Sequence, residues 1–235
     1  SPDPAKGYPI SDKATALGVG GQFGLFYNSG MGFKFGISYK TEQSFGEFEF
    51  ESKYVDGSAA PSVTFKMNYP AIFSAGVGYS QKDFDLALDY RLVNYAKTEG
   101  FEAKGWTSTA SVKGFGWENI SVLSAGVQYK GVKKLPLRIG YTYSANPINE
   151  DLAMFSVPAT AVIKNAFQLG LGYEFSKSFT LNAVYHHGTS SGNTTGPMLS
   201  PMMVNHSNPY GAVPNSSVSY NMTTDMIMFG INYSF

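Results

Sequence analysis

The chain has 235 residues, no cysteine, a formal net charge of zero, 14% charged residues and 15% aromatic residues. The charged fraction is low for a soluble domain, in which about 25% is usual, and the absence of cysteine excludes disulfides and thiol chemistry. The sequence contains no run of about 18 or more apolar residues, which a transmembrane helix would need. It also contains no basic block of the kind that binds nucleic acid.

Nine segments predict β-strands, in chain order 17–27, 33–40, 63–79, 84–91, 123–130, 135–144, 167–175, 179–186 and 227–235. Seven of them alternate between large apolar residues and small or polar ones, which is the period-two pattern of a strand with one apolar face. The segment 17–27 is rich in glycine and less regular, and 63–79 contains Pro70. Since the alternation continues across Pro70, we predict one bent strand with a kink at this proline.

The connections between these segments alternate in length. Short turns at 28–32, 80–83, 131–134 and 176–177 alternate with long polar loops at 51–61, 96–119, 145–161 and 188–217. Short periplasmic turns and long extracellular loops are typical of outer-membrane barrels, whose strands face lipid on one side and a polar lumen on the other. The sequence therefore predicts an all-β, antiparallel transmembrane β-barrel in a bacterial outer membrane.

The predicted strand number is odd, whereas single-chain bacterial barrels have even numbers of strands. Nine strands would leave open edges in lipid, where unpaired backbone groups are costly. Either one strand has been missed, or the chain is part of a larger barrel.

Several motifs occur in a characteristic order along the chain. Upstream are FGLFYNSGMGFKFGISYKTE and MNYPAIFSAGVGYSQKDFDLALDY. Trp117-Glu118-Asn119 then precedes SVLSAGVQYK, LPLRIGYTYSANPI, FQLGLGYEFSKSFTLNAVYHHG and the closing FGINYSF. In this order the chain resembles the FadL/TodX family of outer-membrane transporters.

The resemblance implies a fourteen-stranded barrel plugged by an N-terminal hatch, of which this chain supplies the last nine strands. Residues 1–16 would end an extracellular loop and residues 17–235 would form barrel strands. The implied function is passive transport of hydrophobic small molecules, with long-chain fatty acids first and aromatic hydrocarbons second, and lateral release into the membrane. The implied partners are this ligand, outer-membrane lipid or lipopolysaccharide, and an N-terminal fragment of the same protein.

Four residues are candidates for ligand binding. The resemblance places Lys113 where a family lysine lies near a ligand carboxylate, although an ordinary loop lysine is the competing interpretation. Trp117 would line the ligand path or belong to the outer aromatic girdle. Arg91 and Arg138 are predicted to face the lumen, where they would bind a carboxylate or simply belong to a wall of mutually paired charges.

Other functions are less consistent with the sequence. The alternative from another class is a general porin or an adhesin-type structural barrel, and a soluble lipocalin-like binder would have to bury too many aromatic faces. We predict no enzymatic activity and no cofactor, because no Gly-x-Ser-x-Gly elbow, paired-carboxylate arrangement or nucleotide site stands out in the sequence. We also predict no metal site, because the adjacent His186 and His187 point to opposite faces of a strand. The apolar loop 197–204 would either receive hydrophobic ligands or cap the barrel mouth.

Overall fold

The computed structural model describes residues 5–7, 9–108 and 110–234. Its strands are β1 (Ile10–Ser11), β2 (Gly18–Val19), β3 (Gln22–Asn28), β4 (Phe33–Lys40), β5 (Ser44–Phe45), β6 (Phe48–Lys53), β7 (Ala59–Phe65), β8 (Ile72–Gln81), β9 (Phe84–Val93), β10 (Ile120–Tyr129), β11 (Leu137–Ser144), β12 (Asn165–Glu174), β13 (Phe179–Thr189), β14 (Thr194–Gly196), β15 (Val218–Tyr220) and β16 (Thr223–Tyr233). Short 3₁₀ helices span Tyr95–Lys97, Glu150–Ser156 and Pro201–Met203. None of the helices in these described ranges has the length and apolarity needed to cross a membrane.

The main sheet contains nine strands in the order β3-β4-β8-β9-β10-β11-β12-β13-β16, each antiparallel to its neighbours. The predicted number of strands and their antiparallel order are confirmed. Within the described residues, β3 pairs only with β4 and β16 pairs only with β13, so the sheet has two unpaired edges. The remaining strands form small sheets from the long connections and from the segment that precedes β3.

The two faces of the main sheet differ as the period-two pattern predicts. On β11, Leu137, Ile139, Tyr141 and Tyr143 are exposed, whereas the alternate residues are half-buried. Ile139 is 60% exposed, which is unusual in a water-soluble sheet and ordinary for a side chain that faces lipid. The predicted apolar outer face and polar inner face are therefore confirmed.

Aromatic rings lie at both ends of the outer face. At the end with the short turns, ring centroids are 4.7 Å apart in the Phe33–Tyr79 pair and 4.9 Å apart in the Phe84–Tyr129 pair. Near the long loops, Tyr141 pairs with Phe167 at 5.0 Å. Aromatic belts on either side of an aliphatic band are the arrangement expected at the two membrane–water interfaces.

The prediction of one bent strand over 63–79 is wrong. Strand β7 pairs with β6 in a separate three-stranded sheet, and β8 begins at Ile72 in the main sheet. Pro70 is less than 2% exposed and lies between them, directly after the isolated bridge between Gln43 and Tyr69. Because proline has no N–H to donate, it occupies the junction where the chain leaves one sheet for another. Pro70 thus marks a break between two strands rather than a kink within one.

Two smaller predictions also change. The segment 17–27 forms β2 and β3, with Gly20 and Gly21 between them, because β2 pairs with β5 outside the main sheet. The segment 51–61, predicted as a long polar loop, contains the turn of the β6–β7 hairpin and the adjoining ends of both strands. Strand β1 joins this hairpin through Ile10, which is opposite Lys53. Residues 1–4, 8, 109 and 235 lie outside the described residues.

Candidate functional site

One cross-strand row of the inner face forms a polar ladder. The Asp85 carboxylate accepts hydrogen bonds from Gln128 Nε2 at 2.7 Å and from Lys130 Nζ at 2.9 Å. Arg138 Nε donates to Gln128 Oε1 at 2.5 Å, and Arg138 Nη1 donates to Asn182 Oδ1 at 2.8 Å. Arg138 is therefore held by neighbouring side chains, and a ligand carboxylate would have to displace them.

Arg91 differs from Arg138 because it has no such neighbours. It lies on β9 opposite Ser74 of β8 and Val122 of β10. Its side chain is exposed and makes no hydrogen bond or ion pair with the described residues. Of the two predicted inner-face arginines, Arg91 is thus the one whose guanidinium is available to a ligand.

The inner face also contains a recess of about 500 Å³ across β3, β4 and β8. The recess exists because glycines at its floor leave space that a side chain would fill. At Gly76 an added Cβ would collide with the Asp89 carboxylate. Lys34 lines the recess but donates from Nζ to Ser80 Oγ at 2.8 Å. The recess therefore combines an apolar floor with polar groups at its margin, and its inward-facing lining includes Gly24, Phe26, Gly36, Ser38 and Ser74.

At the other end of the strands, three long loops pack against one another. We call this unit, residues 94–119, 145–164 and 190–222 without 109, the loop cap. Glu118 N of the first loop donates to Pro147 O of the second loop at 2.8 Å, and Tyr220 Oη of the third loop donates to Ala153 O of the second loop at 2.9 Å. The first and third loops are thus both bonded to the second. Apart from Ala166, every buried hydrophobic residue of the described chain lies in the cap: Trp117, Ile148, Leu152, Ala153, Phe155, Val162 and Leu199.

The structure places Trp117 in the core of the loop cap. Its side chain is 6% exposed, and its Nε1 donates to the buried Ser156 Oγ at 2.9 Å. Aromatic rings surround it, with centroids at 5.0 Å for Tyr95, 5.1 Å for Phe101 and 5.4 Å for Phe115. Burial, with a smaller contribution from Tyr69, also raises the pKa of Tyr95. Trp117 is therefore not in the outer girdle, and a ligand contact there stays a prediction that requires the cap to open.

A second cluster of the cap, built around Trp106, was not predicted from the sequence. Trp106 Nε1 donates to Tyr210 O at 2.9 Å, and its ring meets Phe155 edge-on at 5.1 Å. Leu152 and Leu199 complete the cluster with exposed fractions of 1% and 4%. The available signal was the tryptophan itself, since a large apolar ring in a polar loop usually has a packing partner.

An apolar groove of about 390 Å³ opens on the surface of the cap beside this cluster. Trp106 forms an isolated bridge with Val112, and the next residue, Lys113, donates from its backbone N to Gly105 O at 3.0 Å. The Lys113 side chain is exposed, and among the described residues no carboxylate lies within 4 Å of its ammonium group. The apolar part of the groove is lined by Trp106, Ala110, Pro201, Met202 and Val204.

The loop 197–204 thus has two parts with different environments. Leu199 is buried in the second cluster, whereas Met202 is 91% exposed at the groove. Both interpretations proposed for this loop therefore have a structural basis: one part closes the cap, and the other offers an apolar surface to the outside.

His186 and His187 point to opposite faces, as predicted. His186 Nδ1 lies 3.2 Å from Gln168 Nε2 on the inner face, and His187 Nδ1 lies 2.9 Å from Asp225 Oδ1 on the outer face. Tyr185 Oη also donates to Asp225 Oδ1, at 2.5 Å. Within the described residues, no three histidine or acidic side chains converge as metal ligands.

Comparison with known proteins identifies the family. Residues 11–235 match the family described as "Outer membrane protein transport protein (OMPP1/FadL/TodX)". No curated protein sequence matches the chain.

Solved structures share the fold. The toluene transporter TodX of Pseudomonas putida is 17% identical, with a TM-score of 0.61 over 93% of this chain and 50% of its own. A FadL homologue of Pseudomonas aeruginosa is 13% identical, with a TM-score of 0.64 over 94% of this chain and 55% of its own. The toluene transporter TbuX of Ralstonia pickettii is 16% identical, with a TM-score of 0.56 over 94% and 49%.

The chain therefore spans about half the length of the solved structures that it matches. The open sheet, its apolar outer face and its two aromatic belts fit part of such a barrel. Because the family match covers nearly the whole chain, the protein belongs to the OMPP1/FadL/TodX family and is a β-barrel protein of the bacterial outer membrane.

Proposed function

We propose that this chain forms part of a passive route for hydrophobic small molecules across the outer membrane, with long-chain fatty acids as the first substrate class. The observation that carries the proposal is the groove of the loop cap, an apolar surface at Trp106, whose bridge partner Val112 directly precedes the exposed Lys113. Structural relatives described as toluene transporters support hydrophobic cargo in general.

The groove and Lys113 would recognise the two parts of a fatty acid. Each methylene that leaves water for an apolar surface contributes about 0.8 kcal/mol, so Trp106, Pro201 and Met202 would hold the alkyl chain. Lys113 would bind the carboxylate by a charge-assisted hydrogen bond, which is worth about 1.5–3 kcal/mol. A neutral aromatic hydrocarbon would use the apolar surface without the lysine.

The test compares ligands with and without a carboxylate. In the purified protein, Lys113→Gln should weaken binding of a long-chain fatty acid about tenfold and leave its methyl ester and toluene unchanged. Met202→Asp should weaken all three ligands. Lys97→Gln, which removes another exposed lysine of the same loop, is the matched control. If Lys113→Gln has no effect on the fatty acid, the carboxylate role is wrong; if Met202→Asp also has none, the groove is not on the route.

The loop cap favours this function over the alternative of a general porin. An open conducting pore needs a wet mouth, whereas these loops pack around two aromatic clusters. Single-channel conductance in a planar bilayer distinguishes the two, because a capped hydrophobic transporter should conduct ions poorly. A large, steady conductance would instead favour the porin.

We further propose that the ligand leaves sideways at an edge of the described sheet rather than through its interior. All eight strand pairs have uninterrupted register, including β8, which pairs with β9 along its full length after Pro70. An N-terminal segment of the same protein, with the hatch and first strands of a fourteen-stranded barrel, would lie along the edges of β3 and β16, and the exit would be a gap in its pairing with one of these edges. In this proposal residues 1–16 end the preceding extracellular loop.

A further inference from the structure

The short turns of the main sheet carry a cluster of lysines. Turns 82–83, 130–136 and 175–178 contain five lysines and a single acidic residue, Asp83. In the long loops at the other end, acidic residues outnumber basic ones. Since short turns face the periplasm in outer-membrane barrels, the periplasmic rim is basic and the extracellular end is acidic.

The three turns form one continuous surface. Lys130 N donates to Asp83 O at 2.6 Å, which joins the first turn to the second. Glu174 N donates to Lys134 O at 2.9 Å, which joins the second turn to the strand that enters the third. Their lysines therefore belong to one patch, which we call the basic rim: Lys82, Lys133, Lys134 and Lys177, with Lys130 beside them.

Lys130 is neutralised by Asp85, at 2.9 Å, and does not contribute a free charge. The other four lysines are exposed, and among the described residues no carboxylate lies within 4 Å of their ammonium groups. Lys134 has a backbone φ of +62°, a left-handed conformation that favours glycine. Replacing Lys134 with glycine would thus remove its charge without adding strain.

Exposed aromatic rings lie directly beside the basic rim on the outer face. Phe84 follows Lys82 by two residues and pairs with Tyr129 at 4.9 Å. Phe175 precedes Lys177 by two residues and pairs with Tyr173 at 4.7 Å. Aromatic rings of this kind lie at the level of the lipid headgroups. Lysine side chains in general can keep their apolar stems along apolar surface while the ammonium group stays in water, so lysines next to these rings suit the same level of the membrane.

We propose that the basic rim binds anionic phospholipid headgroups of the periplasmic leaflet of the outer membrane. The lysines match the phosphate in charge, and the aromatic belt matches the depth at which that phosphate lies. A water-soluble anion would bind the lysines without contacting the aromatic belt, so the lysines and the belt together favour a lipid. The surface would fix the depth of these three hairpins in the membrane.

The experiment measures which lipid collects at the rim. Because the protein has no cysteine, Ser178→Cys gives a single attachment point for a fluorophore within turn 175–178. The labelled protein is reconstituted in phosphatidylcholine vesicles with a minor fraction of nitroxide-labelled lipid, either phosphatidylglycerol or phosphatidylcholine, at equal concentration. Each lysine near an anionic surface changes local binding by about fivefold. We therefore expect at least about fivefold enrichment of phosphatidylglycerol, which decreases at high salt.

Three variants complete the test. The rim variant removes the four free charges of the basic rim by Lys82→Gln, Lys133→Gln, Lys134→Gly and Lys177→Gln. In this variant, phosphatidylglycerol and phosphatidylcholine should quench equally. A variant with arginine at the same four positions should retain it, which separates loss of charge from loss of fold. A control that removes four other lysines should leave it unchanged: Lys13→Gln, Lys53→Gln, Lys97→Gln and Lys104→Gln.

Four outcomes of the quenching experiment would overturn the proposal: equal quenching by the two lipids in the unmodified protein, enrichment that persists in the rim variant, loss of enrichment in the control variant, and loss in the arginine variant. A fifth comes from competition with a soluble anion. Inorganic phosphate is tested against chloride at matched ionic strength. An additional loss of enrichment in phosphate would mean that the rim is a site for a soluble anion and not for a lipid.

Discussion

Leu152 is the position at which the packing of the loop cap can be tested most directly. Its side chain is 1% exposed, and it lies against Gly116, where an added Cβ would contact Leu152 Cδ1. Gly116 has a left-handed backbone, with φ of +64°, and no side chain that could move into a cavity left at Leu152. Leu→Ala changes in packed cores cost about 2.7–5.0 kcal/mol and cost more where the surroundings cannot collapse. We therefore expect Leu152→Ala to destabilise the cap by about 4 kcal/mol.

Tryptophan fluorescence measures this loss, because both tryptophans of the chain, Trp106 and Trp117, lie in the cap. With a urea m-value of about 2 kcal/mol/M, the midpoint of cap unfolding should fall by about 2 M. Far-UV circular dichroism of the strands should change little over the same range of urea. Met202→Ala, at a side chain that is 91% exposed, is the control and should not shift the midpoint. An unchanged midpoint in Leu152→Ala, or strands that unfold together with the cap, would refute the reasoning.

Two further predictions concern the cap and the wall. Trp117→Phe removes the indole N–H that donates to the buried Ser156 Oγ and should destabilise the cap by about 1–3 kcal/mol in the same urea titration. Adding Ser156→Ala should recover part of the loss, and wild-type stability of the single variant would show that this hydrogen bond contributes nothing. Val77 and Leu88 are directly opposite each other on β8 and β9, and a disulfide between cysteines at these positions should leave ligand uptake near the wild-type level. Uptake that stops on oxidation and returns on reduction would place the exit between these two strands.

Seven of the nine strands of the main sheet could be predicted from alternation because a lipid-facing wall leaves a local signal. In a water-soluble sheet, burial depends on distant elements, but here each outward side chain meets lipid directly, so alternation along one strand is enough. Residues 33–40 and 84–91 show the pattern without interruption and were predicted within two residues of their ends. Alternation along a strand shows to which face each side chain points, and this face was predicted correctly for these strands.

The same signal failed at Pro70, for a physical reason. Alternation gives the face of a residue but not the sheet to which its strand belongs, because that depends on hydrogen-bond partners far along the chain. Strand β7 and strand β8 keep the same alternation although the first pairs with β6 and the second with β4 and β9. A proline without a ladder partner between two such segments is better interpreted as a boundary.

The loop cap was out of reach for a different reason. The hydrogen bond from Trp106 to Tyr210 joins residues 104 positions apart, and the one from Trp117 to Ser156 joins residues 39 positions apart. Irregular loops have no period from which such pairs can be predicted. Lys113 was singled out through the family resemblance, but the apolar groove formed by Trp106 and the loop 201–204 became visible only when the loops were seen together.

The position of the apolar core has a consequence for how the protein divides its stability. The strands expose their largest apolar side chains, such as Ile227 at 67% and Phe229 at 75%, and depend on lipid and on their ladders. The cap lies in water and buries its apolar side chains away from it, so its stability depends on packing, as in an ordinary soluble domain. Changes in the cap core should therefore alter ligand capture while insertion in the membrane is preserved, and changes at the basic rim should do the reverse.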